Sequence, residues 1–137
     1  MCRKVIQALD SGDHSISIWG DGQQTRSFMY IDDCLKGTQL LMKSNFSSPL
    51  NIGSDDMISI NQLVDIVESI AGLRLKRNYK LDAPTGVRGR NSDNALIRET
   101  LGWEPSISLR TGLEETYRWI YTQVKARAEG RPFVAAL

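Results

Sequence analysis

Trp19-Gly20-Asp21-Gly22-Gln23-Gln24-Thr25-Arg26-Ser27-Phe28-Met29-Tyr30-Ile31-Asp32-Asp33 is the stretch on which the reading of the chain turns. Two glycines one residue apart predict a tight turn, since glycine takes positive φ without strain and Asp21 suits such a turn. Phe28, Tyr30 and Ile31 predict an extended, aromatic-rich strand, and Asp32-Asp33 predict the cap of a helix starting near Cys34. Gln24, Thr25 and Arg26 lie between turn and strand. A guanidinium fork beside a glycine turn matches phosphate oxygens, and the glycines let a ligand approach the backbone. The alternative is a surface hairpin with a solvated Arg26.

Upstream, Val5, Ile6 and Leu9 predict a short amphipathic helix over Cys2 to Leu9, stopped by Ser11-Gly12. No capping residue precedes it, the pattern of a chain continued upstream. Ser15 to Trp19 alternates with the period of a half-buried strand. Downstream, a helix is expected over Cys34 to Met42 and a short strand over Leu50 to Ser54. Ser59 and Gln62 then form a capping-box pattern, ahead of Ile60, Leu63, Val64, Val67 and Ile70 at helical spacing and a stop at Gly72. Strand followed by capped helix, repeated, argues for an α/β layout.

Leu73 to Leu81 reads as an edge strand with a basic outer face, a guard against aggregation more than a nucleic-acid contact. Ala83-Pro84-Thr85-Gly86-Val87-Arg88-Gly89-Arg90-Asn91-Ser92-Asp93 is irregular by its proline and glycines. Arg88 and Arg90 flank a glycine, and Ser92 or Asp93 can cap the helix over Ala95 to Leu101. Arginines in such a loop suit anion binding or stand solvated. Ser108 caps a long helix carrying Leu109, Leu113, Tyr117, Ile120 and Val124 on one face, with Glu114 and Arg118 as an i,i+4 pair. Ala126 to Leu137 is expected to fray.

The 137 residues suffice for one ordinary domain, and 41% hydrophobic with 24% charged residues is a normal globular profile. A net charge of +1 gives no global field for nucleic acid or membrane. Cys2 and Cys34 have neither metal-ligand nor disulfide-framework spacing and read as reduced thiols of a cytoplasmic protein. A single histidine, His14, excludes a two-histidine metal site within the chain.

The run from Trp19 to Asp33 resembles the C-terminal part of the nucleotide-sugar epimerases and dehydratases of the extended short-chain dehydrogenase/reductase family. So do Cys2-Arg3-Lys4, Leu50-Asn51-Ile52-Gly53-Ser54-Asp55, Leu101-Gly102-Trp103-Glu104-Pro105 and Gly112-Leu113 with Thr116-Tyr117 and Trp119-Ile120. Gln24-Thr25-Arg26-Ser27-Phe28, where many relatives have Asp at the position of Ser27, and Gly86-Val87-Arg88-Gly89-Arg90-Asn91-Ser92-Asp93-Asn94 are most similar to the GDP-mannose 3,5-epimerases among them. The resemblance implies a Rossmann-type α/β fold, with residues 1–125 as a substrate-binding C-terminal portion and 126–137 as a tail. It implies a GDP-mannose-like nucleotide-sugar ligand, touched by Lys4, Gln24, Thr25, Arg26, Arg88 and Arg90, with Arg26 and Arg90 on the diphosphate. The Lys4 to Trp19 spacing is longer than the family's usual one.

In such epimerases NAD oxidises the sugar at C4, an acid/base pair moves protons at C3 and C5, and hydride returns to C4. A 4,6-dehydratase, a 4-epimerase or a non-catalytic binding module remains the alternative. The chain has no glycine-rich dinucleotide fingerprint after a strand. Its only Tyr-x-x-x-Lys, Tyr121 to Lys125, lies in the last helix and reads as chance. The family's acid/base cysteine and lysine fall upstream of these residues. The expectation is therefore a chain with ligand residues but no catalytic, NAD-binding or metal-binding ones. Incomplete strands near Phe28 and Leu50 predict exposed apolar edge and a homo-oligomer.

Overall fold

Cys2, Val5, Ile6 and Ala8 recur on one face of a 3.6-residue period, and the chain winds into α1 (Cys2–Ser11) with those four buried. The computed structural model describes residues 1–132. Leu9, expected on the same face, lies at its margin and is 39% exposed. β1 (Ser15–Trp19) follows with Ile16 and Ile18 inward, as its alternation predicts. The Gly20–Gly22 turn leads to a two-residue strand, β2 (Thr25–Arg26), then to α2 (Ile31–Lys43). β3 (Ile58–Ser59) runs directly into α3 (Ile60–Ala71), and β4 (Lys76–Lys80), α4 (Ala95–Leu101) and α5 (Leu109–Ala128) complete the order.

β1 and β4 pair in parallel, Ile16 beside Arg77 and Ile18 beside Tyr79, while β2 and β3 form a short antiparallel pair. α1, α3 and α5 cover the inner face of β1. The core gathers Cys2, Val5, Ala8, Ile16, Ile18, Val64, Val67 and Leu75, with Leu113, Tyr117 and Ile120 of α5 packed against it. The architecture is α/β, with helices packed on one side of the parallel pair and β4 largely exposed.

Local signals are met where a cap or a stop can be satisfied nearby. Ser59 Oγ accepts from Gln62 N at 3.1 Å and Gln62 Oε1 accepts from Ser59 N at 2.8 Å. Ser108 Oγ accepts from Thr111 N at 3.1 Å. α1, α3 and α4 end at Gly12, Gly72 and Gly102. Asp93 Oδ1 accepts from Ala95 N at 2.9 Å, so it serves the start of α4 from just outside.

Several expectations are corrected. The strand through Phe28, Tyr30 and Ile31 is only Thr25–Arg26, and α2 begins at Ile31. Asp33 does not cap that helix. It is buried, and its Oδ2 accepts from Ser106 N at 2.9 Å and Ile107 N at 2.8 Å. Leu50 to Ser54 is not a strand among the described residues, because a strand needs a ladder and no strand lies alongside. Its carbonyls are instead met by Ser92 N on Ser54 O and Asn94 Nδ2 on Gly53 O. Glu114 pairs with Arg110 and Arg118 with Glu115, in place of the expected Glu114–Arg118 pair. α5 runs on to Ala128 with Ala126 buried, so 126–128 are not frayed, and 133–137 of the expected tail lie outside the described residues.

One arginine of the basic strand, Arg77, is neutralised locally. Glu68, 1% exposed, accepts from Leu75 N at 3.1 Å and from Arg77 Nη2 at 3.1 Å, and Asp65 pairs with Arg77 and Arg74. A buried carboxylate is tolerable only with such partners. Glu68→Ala leaves the Leu75 amide and part of Arg77 unpartnered. It is expected to cost about 2–4 kcal/mol in urea unfolding, and a loss under about 1 kcal/mol would show that the network is incidental.

Candidate functional site

The opening turn is as tight as its glycines allow, Gly20 and Gly22 both at φ 72°. Asp21 Oδ1 accepts from Gln23 N at 2.8 Å, closing the turn on itself. The chain then straightens into β2, where Thr25 N donates to Arg88 O at 2.8 Å. That bond joins the Thr25–Arg26 segment to the arginine-bearing loop 83–93. Gly89 sits so close that an added Cβ would lie 2.6 Å from Thr25 Oγ1, which is why a glycine stands between the two arginines.

Arg26 is held by the backbone. Nη1 donates to Thr25 O at 2.6 Å and Nη2 donates to Thr85 O at 3.0 Å. A guanidinium has five donors, so this grip fixes the plane of the group and leaves others to point outward. Arg26 and Arg90 line one cleft of about 440 Å³, together with Ser27, Asn51, Ile52, Val87, Asn91 and Ser92. Arg90 has no hydrogen-bond or ion-pair partner among the described residues. The lining combines two cations with amides and hydroxyls and includes no carboxylate or histidine. Such a cleft can bind and orient an anion, but it supplies no general base.

The other expected residues are distributed differently. Gln24 and Arg88 line a second cleft with Gly20, Asp21, Leu81, Thr85 and Gly86. Gln24 is 9% exposed, its Nε2 donates to Trp19 O at 2.8 Å, and its Oε1 is buried without a partner. Thr25 lines neither cleft, its Oγ1 facing Met57 and Arg88 O. Lys4 is on α1, where Nζ donates to Ser17 O at 3.0 Å, and it lines neither cleft. Asn51, Asn91 and Ser92 were not singled out from sequence, although each belongs to a run that carries the resemblance.

Burial raises the Cys2 thiol above its ordinary pKa, which works against a nucleophilic role. Lys125 Nζ bonds Asp10 Oδ1 at 2.7 Å and lies 5.3 Å from the centre of the Tyr121 ring. Among the described residues no group of three metal-ligating side chains occurs, and no helix is long and apolar enough to cross a membrane.

NAD does not fit the residues present. A dinucleotide pyrophosphate needs a glycine-lined turn from strand into helix, with free N–H groups at the helix start. β1 passes through its glycine turn into β2, not into a helix. α3, which does follow a strand, spends its first N–H groups on Gln24 O, Gly22 O and its own Ser59 cap.

Comparison with known proteins was made against this geometry. A family model described as GDP-mannose 4,6 dehydratase matches residues 1–116. GDP-mannose 3,5-epimerase 1 of Oryza sativa subsp. indica is 46% identical over 130 residues, 94% of this chain and 33% of that protein. GDP-mannose 3,5-epimerase of Arabidopsis thaliana is 47% identical over 130 residues, again 94% of this chain and 33% of its own length. The chain thus spans about a third of the curated relatives it matches.

Among solved structures, UDP-glucuronic acid 4-epimerase from Bacillus cereus, in complex with UDP-glucuronic acid and NAD, superposes with a TM-score of 0.77. It is 30% identical, and the match covers 88% of this chain and 39% of that one. UDP-glucose 4-epimerase from Thermotoga maritima, with UDP-glucose, gives 0.79 at 28% identity, covering 90% and 40%. Agreement of motif, backbone and family model over most of its length places the chain in the GDP-mannose 4,6 dehydratase family, within the extended short-chain dehydrogenase/reductases.

Proposed function

We propose that this chain is the nucleotide-sugar-binding portion of an NAD-dependent sugar epimerase of GDP-mannose 3,5-epimerase type. The observation that carries the reading is that Arg26 and Arg90, 64 positions apart in sequence, line a single cleft free of carboxylates. A diphosphate is the natural occupant, since two guanidinium forks, one from β2 and one from loop 83–93, can fix both its charge and its orientation. Ser27, Asn51 and Asn91 offer uncharged hydrogen-bonding groups beside it, suited to sugar hydroxyls. The substrate-binding portion is residues 1–125, and α5 runs three residues past that boundary, to Ala128.

GDP-mannose is favoured over a UDP-sugar because the 46–47% identity is to GDP-mannose epimerases, whereas a UDP-glucuronate 4-epimerase stands at 38% and the two UDP-sugar epimerase structures at 28–30%. NAD would be held by residues other than these, and the oxidation and return of hydride at C4 with it. This chain's part is to bind the diphosphate, orient the sugar and keep its reacting carbons in place. A cytoplasmic setting goes with the two free thiols. A homo-oligomer goes with the exposed apolar side chains of Phe28, Ile31, Leu35 and Met42 on and beside α2.

Calorimetric titration with GDP-mannose, GDP, UDP-glucose and NAD tests the reading. GDP-mannose and GDP are expected to bind and NAD is not. Arg26→Ala and Arg90→Ala are each expected to cost about 1.5–3 kcal/mol of that affinity, roughly ten- to hundredfold. Lys4→Ala should change it less than about twofold, as for an exposed side chain outside the cleft. Unchanged affinity in both arginine variants would sink the proposal. In analytical ultracentrifugation the isolated chain is expected to self-associate, and a monodisperse monomer at high concentration would argue against the oligomer.

A further inference from the structure

The segment that carries Arg26 is suspended from one residue outside both clefts. Asn61, second in α3, donates its backbone N–H to Gly22 O at 3.0 Å. Its side-chain Nδ2 donates to Asp21 O at 3.2 Å, and its Oδ1 accepts from Tyr79 Oη at 3.0 Å. The neighbouring Ile60 N donates to Gln24 O at 3.1 Å. Three carbonyls of the turn, on Asp21, Gly22 and Gln24, are therefore gathered at the start of one helix. The N–H groups there have no partner within the helix and usually turn to water or a cap. Here they are spent on a loop nearly forty positions earlier.

The fit leaves no slack. A Cβ at Gly22 would lie 2.3 Å from Asn61 Oδ1 and 2.6 Å from its Cγ. Tyr79 sits on β4 opposite Ile18 of β1, so the acceptor side of the Asn61 amide is fixed by the parallel pair. The Asn61 carbonyl in turn accepts from Arg77 Nη1 at 3.4 Å. Asn61 lines neither cleft, so its reach to a ligand is through the turn.

We propose that Asn61, oriented by Tyr79, is the positioning residue for the anion-binding segment: it sets the Gly20–Gly22 turn, and through it the register of Thr25 and Arg26 against loop 83–93. The proposal rests on the nucleotide-sugar reading for its ligand but not for its geometry. Thr25 N to Arg88 O is the bond that reports it, because that bond ties the Arg26 segment to the loop bearing Arg90.

The test combines hydrogen exchange with titration on the full chain. Asn61→Ala is expected to speed exchange at the Thr25 amide about tenfold while leaving the amides of β1 and the later turns of α3 at their original rates. It should weaken GDP-mannose binding about five- to twentyfold with the heat per site retained. Tyr79→Phe removes one hydroxyl from a side chain that is 43% exposed. That variant keeps the fold and should shift both readouts in the same direction by a smaller factor. A Thr25 amide that exchanges as in the unchanged protein in both variants overturns the proposal. So does weakened binding with unchanged exchange, which would put Asn61 on the ligand. If the unchanged chain takes up no GDP-mannose, the nucleotide-sugar reading falls, and the exchange arm alone still decides the positioning role.

Discussion

The carbonyl groups of Gly22 and Gln24 meet the first N–H groups of α3, and much else in the molecule is arranged so that they can. α3 must start at Ile60, which its capping box enforces. β4 must lie parallel to β1, which Glu68 secures by holding Leu75 N and Arg77 from inside the core. Only then does the glycine turn close and the short β2 strand reach both β3 and the loop at Arg88. The face that carries Arg26 and Arg90 is thus an outcome of tertiary structure. Two residues of β2 and an irregular loop have no independent stability, since an isolated pair of short strands is marginal in water.

The clefts on either side of that loop differ in kind. On one side, two guanidinium groups stand with amides and hydroxyls. On the other, Gln24 offers a buried, unpartnered oxygen beside Arg88. An unpaired buried acceptor is costly, and proteins keep such a group where something else completes it. The backbone between the clefts is pinned at both Thr25 and Thr85, which spares a ligand the cost of ordering it.

What the sequence announced and what it concealed divide by range. The capping box of Ser59 and Gln62, the Ser108 cap, the glycine stops and the alternation of β1 act within a few residues, so pattern alone finds them. Asp33 read as a cap because acidic residues commonly start helices, yet its partners are the amides of Ser106 and Ile107. Nothing local marks Glu68 as buried, because its partners, Leu75 N and Arg77, come from the segment after the helix. Leu50 to Ser54 has strand composition but lacks a neighbour to pair with. Arg26 and Arg90 stood out as candidate anion ligands from their glycine settings and from the resemblance. That they share a cleft while Lys4 and Gln24 lie elsewhere is a matter of packing, which no local motif encodes.

The contact between α1 and α5 bears on how the chain is made. Lys125 bonds Asp10 across 115 positions, and Leu113, Tyr117 and Ile120 seal the core that α1 opens. During synthesis α1 leaves the ribosome before α5, and its apolar face is not fully covered until α5 follows it. Contacts of such long sequence separation close slowly, and exposed apolar surface is most prone to misassociate in that interval.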